Sequence, residues 1–422
     1  MCMSTAVKGI IISTFLVLMP LVGKAEGGGP LSDTIRNLFG PDGIILEDIV
    51  LRKAPPDNLS RAGDFQASSL RGLEQLNDQI TSTFGVFSFN SSVTGFTFDL
   101  ERGVPIRTAE SLGPLLTERA PTLGARRLHL AFTYTRIDFT KFQGLDLWNV
   151  QLAFLAEDIN QNGAIETKGP FKAESDQVRV RLNLDISEDV FAIIATYGLT
   201  SSWDIGMVMP VVHLRFRADG EAVIVDRKGN IGGTRVDDGS PVHLFRNGSS
   251  SITASGGGDV TGLGDIILRT KYNFLRSYSA LPDLAAVVEV KLPTGNSDEL
   301  LGTGGTSVTS LLIASKTYGR WFTPHVNLGY VADTKDSHQS RIRYAAGFDA
   351  RLLEKLTVVA DIIGFSRPDG NGVGDDIVDL SLGAKWNPIG SWFLGANFQI
   401  PLNKSSGLRA DFIPTVTIEY IF

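Results

Sequence analysis

Segments of about ten residues in which apolar and polar side chains alternate recur along this chain, and they commit it to sheet. Successive side chains on a strand point to opposite faces, so each such segment has one apolar and one polar face. In 178–186, Val178, Val180, Leu182, Leu184 and Ile186 alternate with Arg179, Arg181, Asn183 and Asp185. In 266–274, Ile266, Leu268, Tyr272 and Phe274 oppose Arg269, Lys271 and Asn273. In 342–352 and 378–386 the same pattern sets Arg343, Asp349, Arg351, Asp379 and Lys385 against Ile342, Tyr344, Phe348, Val378, Leu380 and Trp386. At the end of the chain, Pro414, Val416, Ile418, Tyr420 and Phe422 share one face, and Thr415, Thr417, Glu419 and Ile421 share the other. Weaker versions lie near 129–140, 144–154, 189–198, 202–213, 283–292, 306–318, 321–333, 355–366 and 391–400.

A soluble sandwich with one wet face would also alternate. Ordinary strands, however, peak near 5–6 residues, whereas these reach the roughly 9–11 that a tilted membrane strand needs. Aromatic residues gather near the segment ends, at Tyr272 and Phe274, Trp321 and Phe322, Trp386, Trp392 and Phe393, and Tyr420 and Phe422, as in interfacial girdles. The connections alternate too. Residues 353–355 and 387–390 are tight turns, while 214–259, 293–305, 334–340, 367–375 and 401–410 are longer and rich in Gly, Asp, Asn and Ser. Asp219-Gly220 within 214–259 reads as the turn of a hairpin. These features predict an all-β protein: a transmembrane antiparallel β-barrel of the bacterial outer membrane, with an even count of about 12–16 strands. Leu182 and Leu380 are then expected to face lipid. The terminal aromatics Tyr420 and Phe422 resemble the closing-strand signal of such barrels, and imply outer-membrane lipid and the outer-membrane assembly machinery as partners.

The other end carries Lys8, an apolar run from Gly9 to Val22, and Gly23-Lys24-Ala25. That order predicts a signal peptide over 1–25. The one cysteine, Cys2, would leave with it. Disulfides, thiol nucleophiles and Cys-based zinc sites are thereby excluded from the remainder. The whole chain has a formal charge of -7, and loss of Lys8 and Lys24 takes it to about -9, a sign that disfavours nucleic acid. Residues 26–80 read as a non-barrel N-terminal segment, a periplasmic element, a plug or, by composition equally, a disordered leader, in which Leu70, Leu73, Leu76 and Ile80 keep helical spacing. The barrel is expected over 81–422.

The run Gly262-Leu263-Gly264-Asp265, followed by a strand to Phe274, and the junction Val290-Lys291-Leu292-Pro293-Thr294-Gly295 resemble the phenol meta-pathway outer-membrane family. The resemblance covers roughly 260–422, with a weaker match from Gly113 to Asp146 that includes Leu123-Gly124-Ala125-Arg126-Arg127. It implies a porin-like or transport barrel for aromatic and other organic compounds, and supplies no functional residues.

Motifs for other chemistry fail. Gly256-Gly257-Gly258 and Gly302-Thr303-Gly304-Gly305-Thr306 lack the helix and Lys of a phosphate loop. Asp158-Ile159-Asn160-Gln161-Asn162-Gly163 opens like a calcium loop, but its twelfth position is Gly169 instead of Glu, so it reads as a polar hairpin loop. His129, His213, His243, His325 and His338 show no ligand spacing, and no metal or cofactor is expected. The polar faces are more informative. They nominate Arg179, Arg181, Arg269, Lys271, Lys291, Arg343, Arg351 and Lys385, with Asp185, Glu289, Asp349, Asp379 and Glu419, as lumen-lining residues. Eight cations against five anions is a positive excess inside an acidic protein, and wall charge tunes what passes a pore. The expected function is passive passage of small organic solutes, aromatic or anionic, and not enzymatic. The rival readings are a closed structural or adhesive barrel braced by ion pairs, and a hydrolase at the barrel rim.

Overall fold

The computed structural model describes residues 30–48, 63–81, 96–99, 104–107, 111–155, 176–226, 228–235, 239, 241–276, 281–319, 321–335, 337–367 and 376–422. The signal-peptide segment 1–25 and the loop 158–169 lie outside the described residues. In chain order the strands begin with β1 (Leu46–Asp48), β2 (Phe96–Asp99), β3 (Val104–Arg107), β4 (Leu128–Phe142), β5 (Leu145–Asp146) and β6 (Val150–Leu155). They continue with β7 (Gln177–Gly198), β8 (Trp203–Val225), β9 (His243–Phe245), β10 (Ser251–Leu263), β11 (Ile266–Leu275), β12 (Asp283–Leu292), β13 (Ser307–Ser315) and β14 (Phe322–Asp333). The last are β15 (Arg341–Leu353), β16 (Leu356–Ser366), β17 (Asp376–Trp386), β18 (Trp392–Pro401), β19 (Leu408–Ala410) and β20 (Ile413–Ile421).

Twelve of these close into an antiparallel barrel. β7, β8, β11 and each strand through β18 pair in turn, β18 pairs β20, β20 pairs β4, and β4 pairs β7. Closure removes both sheet edges, which a membrane wall requires. The outward faces carry exposed Leu268, Leu312, Leu328, Ile362, Leu394 and Val416. Trp203, Tyr272, Trp321, Trp386 and Phe422 are exposed beside the short turns 199–202, 354–355 and 387–391. There Trp392 meets Tyr420 with ring centres 4.8 Å apart, and Tyr420 meets Phe422 at 4.5 Å. Short turns face the periplasm and long loops the exterior in this architecture. The Phe422 end is therefore periplasmic, and the protein is a β-barrel of the bacterial outer membrane.

Two strands outrun the wall. β7 has 22 residues and β8 has 23, and their loop-side halves are flanked by β6 and β10 in a four-stranded extension. This corrects three expectations. Asp219-Gly220 is not a turn: the alternation runs unbroken through it, and Gly220 is needed because a Cβ there would lie 2.8 Å from Phe39 and 2.9 Å from Leu38. Leu182 does not face lipid. It is fully buried with Val178, Val180, Leu184, Leu214, Phe216 and Ile224, on the face continuous with the barrel interior. Arg179 and Arg181 do not line the lumen; they stand exposed on the opposite face, with Asp185.

The reason for the reversal is the cover. The described N-terminal residues lie across the apolar face of the extension, with Leu31, Ile35, Leu38, Ile44, Leu73, Leu76 and Ile80 in one core with β7 and β8. Each such aliphatic contributes about 1.5–3 kcal/mol when fully buried. The helix Gly63–Thr81 presents Leu73, Leu76 and Ile80 from one stripe. Asn77 ties it to the preceding turn, donating from Nδ2 to the Ser32 carbonyl at 2.6 Å and accepting from the Ile35 amide at 3.3 Å. Arg36 pairs with Glu74 at 2.6 Å. These residues form a cap on the loop side of the barrel, away from the periplasmic turns.

The Gly-x-Gly-Asp motif is a brace for the loop after β12. Asp265 accepts from the Gly295 amide at 3.0 Å and from the Thr303 amide at 2.9 Å, and Thr294 Oγ1 donates to the Gly264 carbonyl at 2.8 Å. A Cβ on Gly302 would sit 2.4 Å from the Asp265 carboxylate, so that approach requires glycine.

Candidate functional site

The lumen is occupied by the chain itself. Residues 111–127 fill its periplasmic part as an irregular, bent segment with both ends at the periplasmic end: Leu112 meets Thr357 beside the turn 354–355, Glu118 reaches furthest in, and Arg126 donates its amide to the Gly198 carbonyl at 2.7 Å. The barrel expected over 81–422 therefore begins its wall at Leu128, and the segment before it is a plug. Pro114 and Pro121 suit this role, since proline fixes an extended φ and cannot serve a ladder.

A segment outside helix and sheet leaves its backbone groups unpaired, and buried ones need partners. Wall side chains supply them. The Leu112 amide donates to Thr357 Oγ1 at 2.7 Å, the Ala120 amide to Ser315 Oγ at 3.0 Å, and the Leu123 amide to Asp204 Oδ2 at 2.8 Å. Asn327 takes both backbone groups of Glu118, accepting from its amide and donating to its carbonyl, each at 2.9 Å. Lys271 Nζ donates to the Arg119 carbonyl at 2.5 Å and Asn273 Nδ2 to the Ala120 carbonyl at 3.0 Å. Leu115 fills the space over Gly383 and Gly395, where added Cβ atoms would meet it at 2.8 and 2.5 Å.

The plug's charges enter the wall's. Glu118 lies against Arg269 and 3.2 Å from Lys271. Arg269 also reaches Glu289 at 3.7 Å, and Glu289 reaches Arg343 at 3.4 Å. Arg119 Nε donates to Asp349 at 2.7 Å. His325 joins Asp361 and Thr117, each at 2.7 Å. Lower down, Lys385 pairs with Glu419 at 2.9 Å, and His129 meets the same carboxylate at 3.2 Å. Charges so buried persist only when matched and hydrogen-bonded.

Of the residues nominated from sequence, the inner wall holds Arg269, Lys271, Glu289, Lys291, Arg343, Asp349, Arg351, Asp379, Lys385 and Glu419, by strand parity. Lys291 stands 3.6 Å from Asp265, and Asp379 lies against Arg409 near the loops. Asp204, Asp265, His325, Asn327 and Asp361 were not nominated. They sit on polar faces of recognised segments or at their ends, so the same parity would have found most of them. With Arg179 and Arg181 outside, the nominated cations inside are six, against seven anions once Asp204, Asp265 and Asp361 are counted, so the positive excess expected of the nominated set is lost. Glu118 and Arg119 carry no such signal, because the plug has no period.

Residues 166–353 match the family described as Putative MetA-pathway of phenol degradation. It is the family that the sequence resembles. The match starts well before the resemblance at 260 and stops at 353, within β15. Comparison with curated proteins gives no match. Among solved structures, the chain is similar to an outer membrane channel from Pseudomonas putida F1, at 12% identity and TM-score 0.42, over 72% of this chain and 98% of that one. It is also similar to a Pseudomonas aeruginosa FadL homologue, at 10% identity and TM-score 0.33, over 70% and 90%. The P. putida toluene transporter TodX matches at 9% identity and TM-score 0.33, over 71% and 90%.

Proposed function

We propose that this barrel passes small organic solutes, hydrophobic or aromatic, across the outer membrane, and that the plug 111–127 gates the path. One observation carries the reading. The plug's backbone is held by side-chain hydrogen bonds and ion pairs from wall strands, and its apolar packing is confined to small clusters, Leu112 and Leu123 with Phe393 and Ile421, and Ala120 with Ala285, Val287, Leu311 and Ile313. Hydrogen-bonded groups exchange readily with water, so such a plug can shift without disrupting the wall's backbone ladder. The family description, phenol degradation, agrees with aromatic solutes. In this reading Arg269, Lys271, Glu289, Arg343, Asp349 and Lys385 hold the closed state. Chemistry on the solute has no part in it.

The test uses the absence of cysteine after Cys2. The Ala120 amide lies 3.0 Å from Ser315 Oγ, so Ala120→Cys with Ser315→Cys places two thiols side by side. Uptake of phenol or toluene into proteoliposomes should fall on oxidation and return on reduction. Uptake unchanged by the crosslink removes the plug from the path. Absence of uptake and of conductance in the reduced protein favours the closed, ion-paired structural barrel, which the filled lumen also supports.

A further inference from the structure

At the loop-side mouth the pairing is incomplete, although Lys291 has Asp265 and Asp379 has Arg409 there. There the inner faces of β15 and β16 carry Arg341, Arg343, Phe365 and Arg367. Ile342 pairs with Ser366 and Arg343 with Phe365, so one step further in the same register sets Arg341 across from Arg367. Like charges directly opposite on a sheet face destabilise it. The charges of Arg367 and Arg343 both bear on Arg341, and Asp333 attracts it from beyond ion-pair distance. Arg343 has Glu289 at 3.4 Å. Arg341 and Arg367 form no ion pair among the described residues, and the Nε–H of each is shut off from solvent with no acceptor. Arg367 donates one bond from Nη2 to Gln339 Oε1 at 2.7 Å, and Arg341 lies over the Phe365 ring, its Cζ 5.0 Å from the ring centre.

Deeper in the lumen, Arg119, Arg269, Lys271 and Lys385 each meet a carboxylate. Two facing guanidiniums with buried, unanswered donors are the exception. A guanidinium is a planar fork of donors matched to a carboxylate, and it stays charged. We propose that Arg341 and Arg367 bind the carboxylate of a small organic anion at the outer mouth of the lumen, with Phe365 as the apolar wall for its hydrocarbon part. A carboxylate between them would satisfy both Nε–H groups and turn a repulsive pair into an attractive one. This deepens the solute-passage reading and rests on it for its purpose, although binding can be measured without passage.

The experiment titrates the full chain, purified in detergent at low chloride, with benzoate by calorimetry. Toluene and sulfate serve as the uncharged and the inorganic comparison. Saturable benzoate binding is expected, at least about tenfold weaker in Arg341→Gln and in Arg367→Gln, since each removes charged hydrogen bonds. Arg181→Gln, on the outer face of the extension, should bind as the parent does. Both mouth variants should keep the heat-modifiable folded form, because each relieves a repulsion; reading them singly guards against the failure of one to fold. No saturation by benzoate, or equal affinity in both mouth variants, overturns the site. Sulfate binding as tightly as benzoate overturns the carboxylate assignment. Benzoate binding without any solute uptake leaves the site standing and removes the transport reading instead.

Discussion

Asn327 holds Glu118 by both of its backbone groups, donating from Nδ2 to the carbonyl and accepting at Oδ1 from the amide, each at 2.9 Å. One amide side chain thus does for the plug what a neighbouring strand would do. The side chain of Glu118, freed from its own backbone, turns to Arg269 and Lys271. Wall and plug are coupled at that residue through hydrogen bonds and charge together.

Replacing Asn327 by Leu should loosen the plug and leave the wall. Two buried backbone groups lose their partners, a penalty of about 1–3 kcal/mol each. Amide hydrogen exchange over 115–123 should accelerate at least tenfold, while β11 to β18 keep their protection. Unchanged exchange at 115–123 would show that the plug is held elsewhere.

Gly220→Val should displace the cap. The added side chain meets Phe39 and Leu38 where a Cβ alone already lies within 3 Å of each. Limited proteolysis should release fragments from 31–81, and the barrel band in unheated electrophoresis should remain. Loss of the barrel itself would mean that the cap is required for closure.

Leu380→Arg and Leu182→Arg should differ in kind. Leu380 lies on the outward face of β17, so an arginine there meets hydrocarbon and costs about 2–4 kcal/mol near the midplane. Leu182 is buried under the cap, where an arginine breaks the extension core and spares insertion. Arg181→Leu, on the exposed side, should be mild. Insertion into outer membranes, followed by heat modifiability, reads the first effect; protease sensitivity of the cap reads the second. Equal insertion defects for Leu182→Arg and Leu380→Arg would refute the assigned facing.

Deleting Phe422 should lower the amount of assembled barrel. The side chain is exposed at the periplasmic rim and stacks edge-on against Tyr420, a surface suited to recognition during insertion. We propose that Tyr420 and Phe422 are read by the assembly machinery. Outer-membrane yields equal to those of the parent would discard that role.

Sheet, strand length and the inward residues of β11, β12, β15, β17 and β20 were determined by the sequence alone, because strand parity is local. Once Leu268 and Tyr272 are placed outward, Arg269 and Lys271 must point inward, whatever else the chain does. The cap's helical stripe at Leu73, Leu76 and Ile80 is local in the same way. What tertiary structure decided was which face of an alternating strand is the inside, and what lies there. Residues 178–186 have an apolar face that suits lipid, yet it packs under Ile35 and Leu38, because a cap more than a hundred residues earlier in the chain covers it. Asp219-Gly220 has the composition of a turn, but a close approach by Phe39 uses its glycine within a straight strand. The plug has no periodicity to read, since its partners Thr357, Asn327, Ser315, Lys271 and Asp204 come from separate strands and only closure of the barrel brings them around one segment.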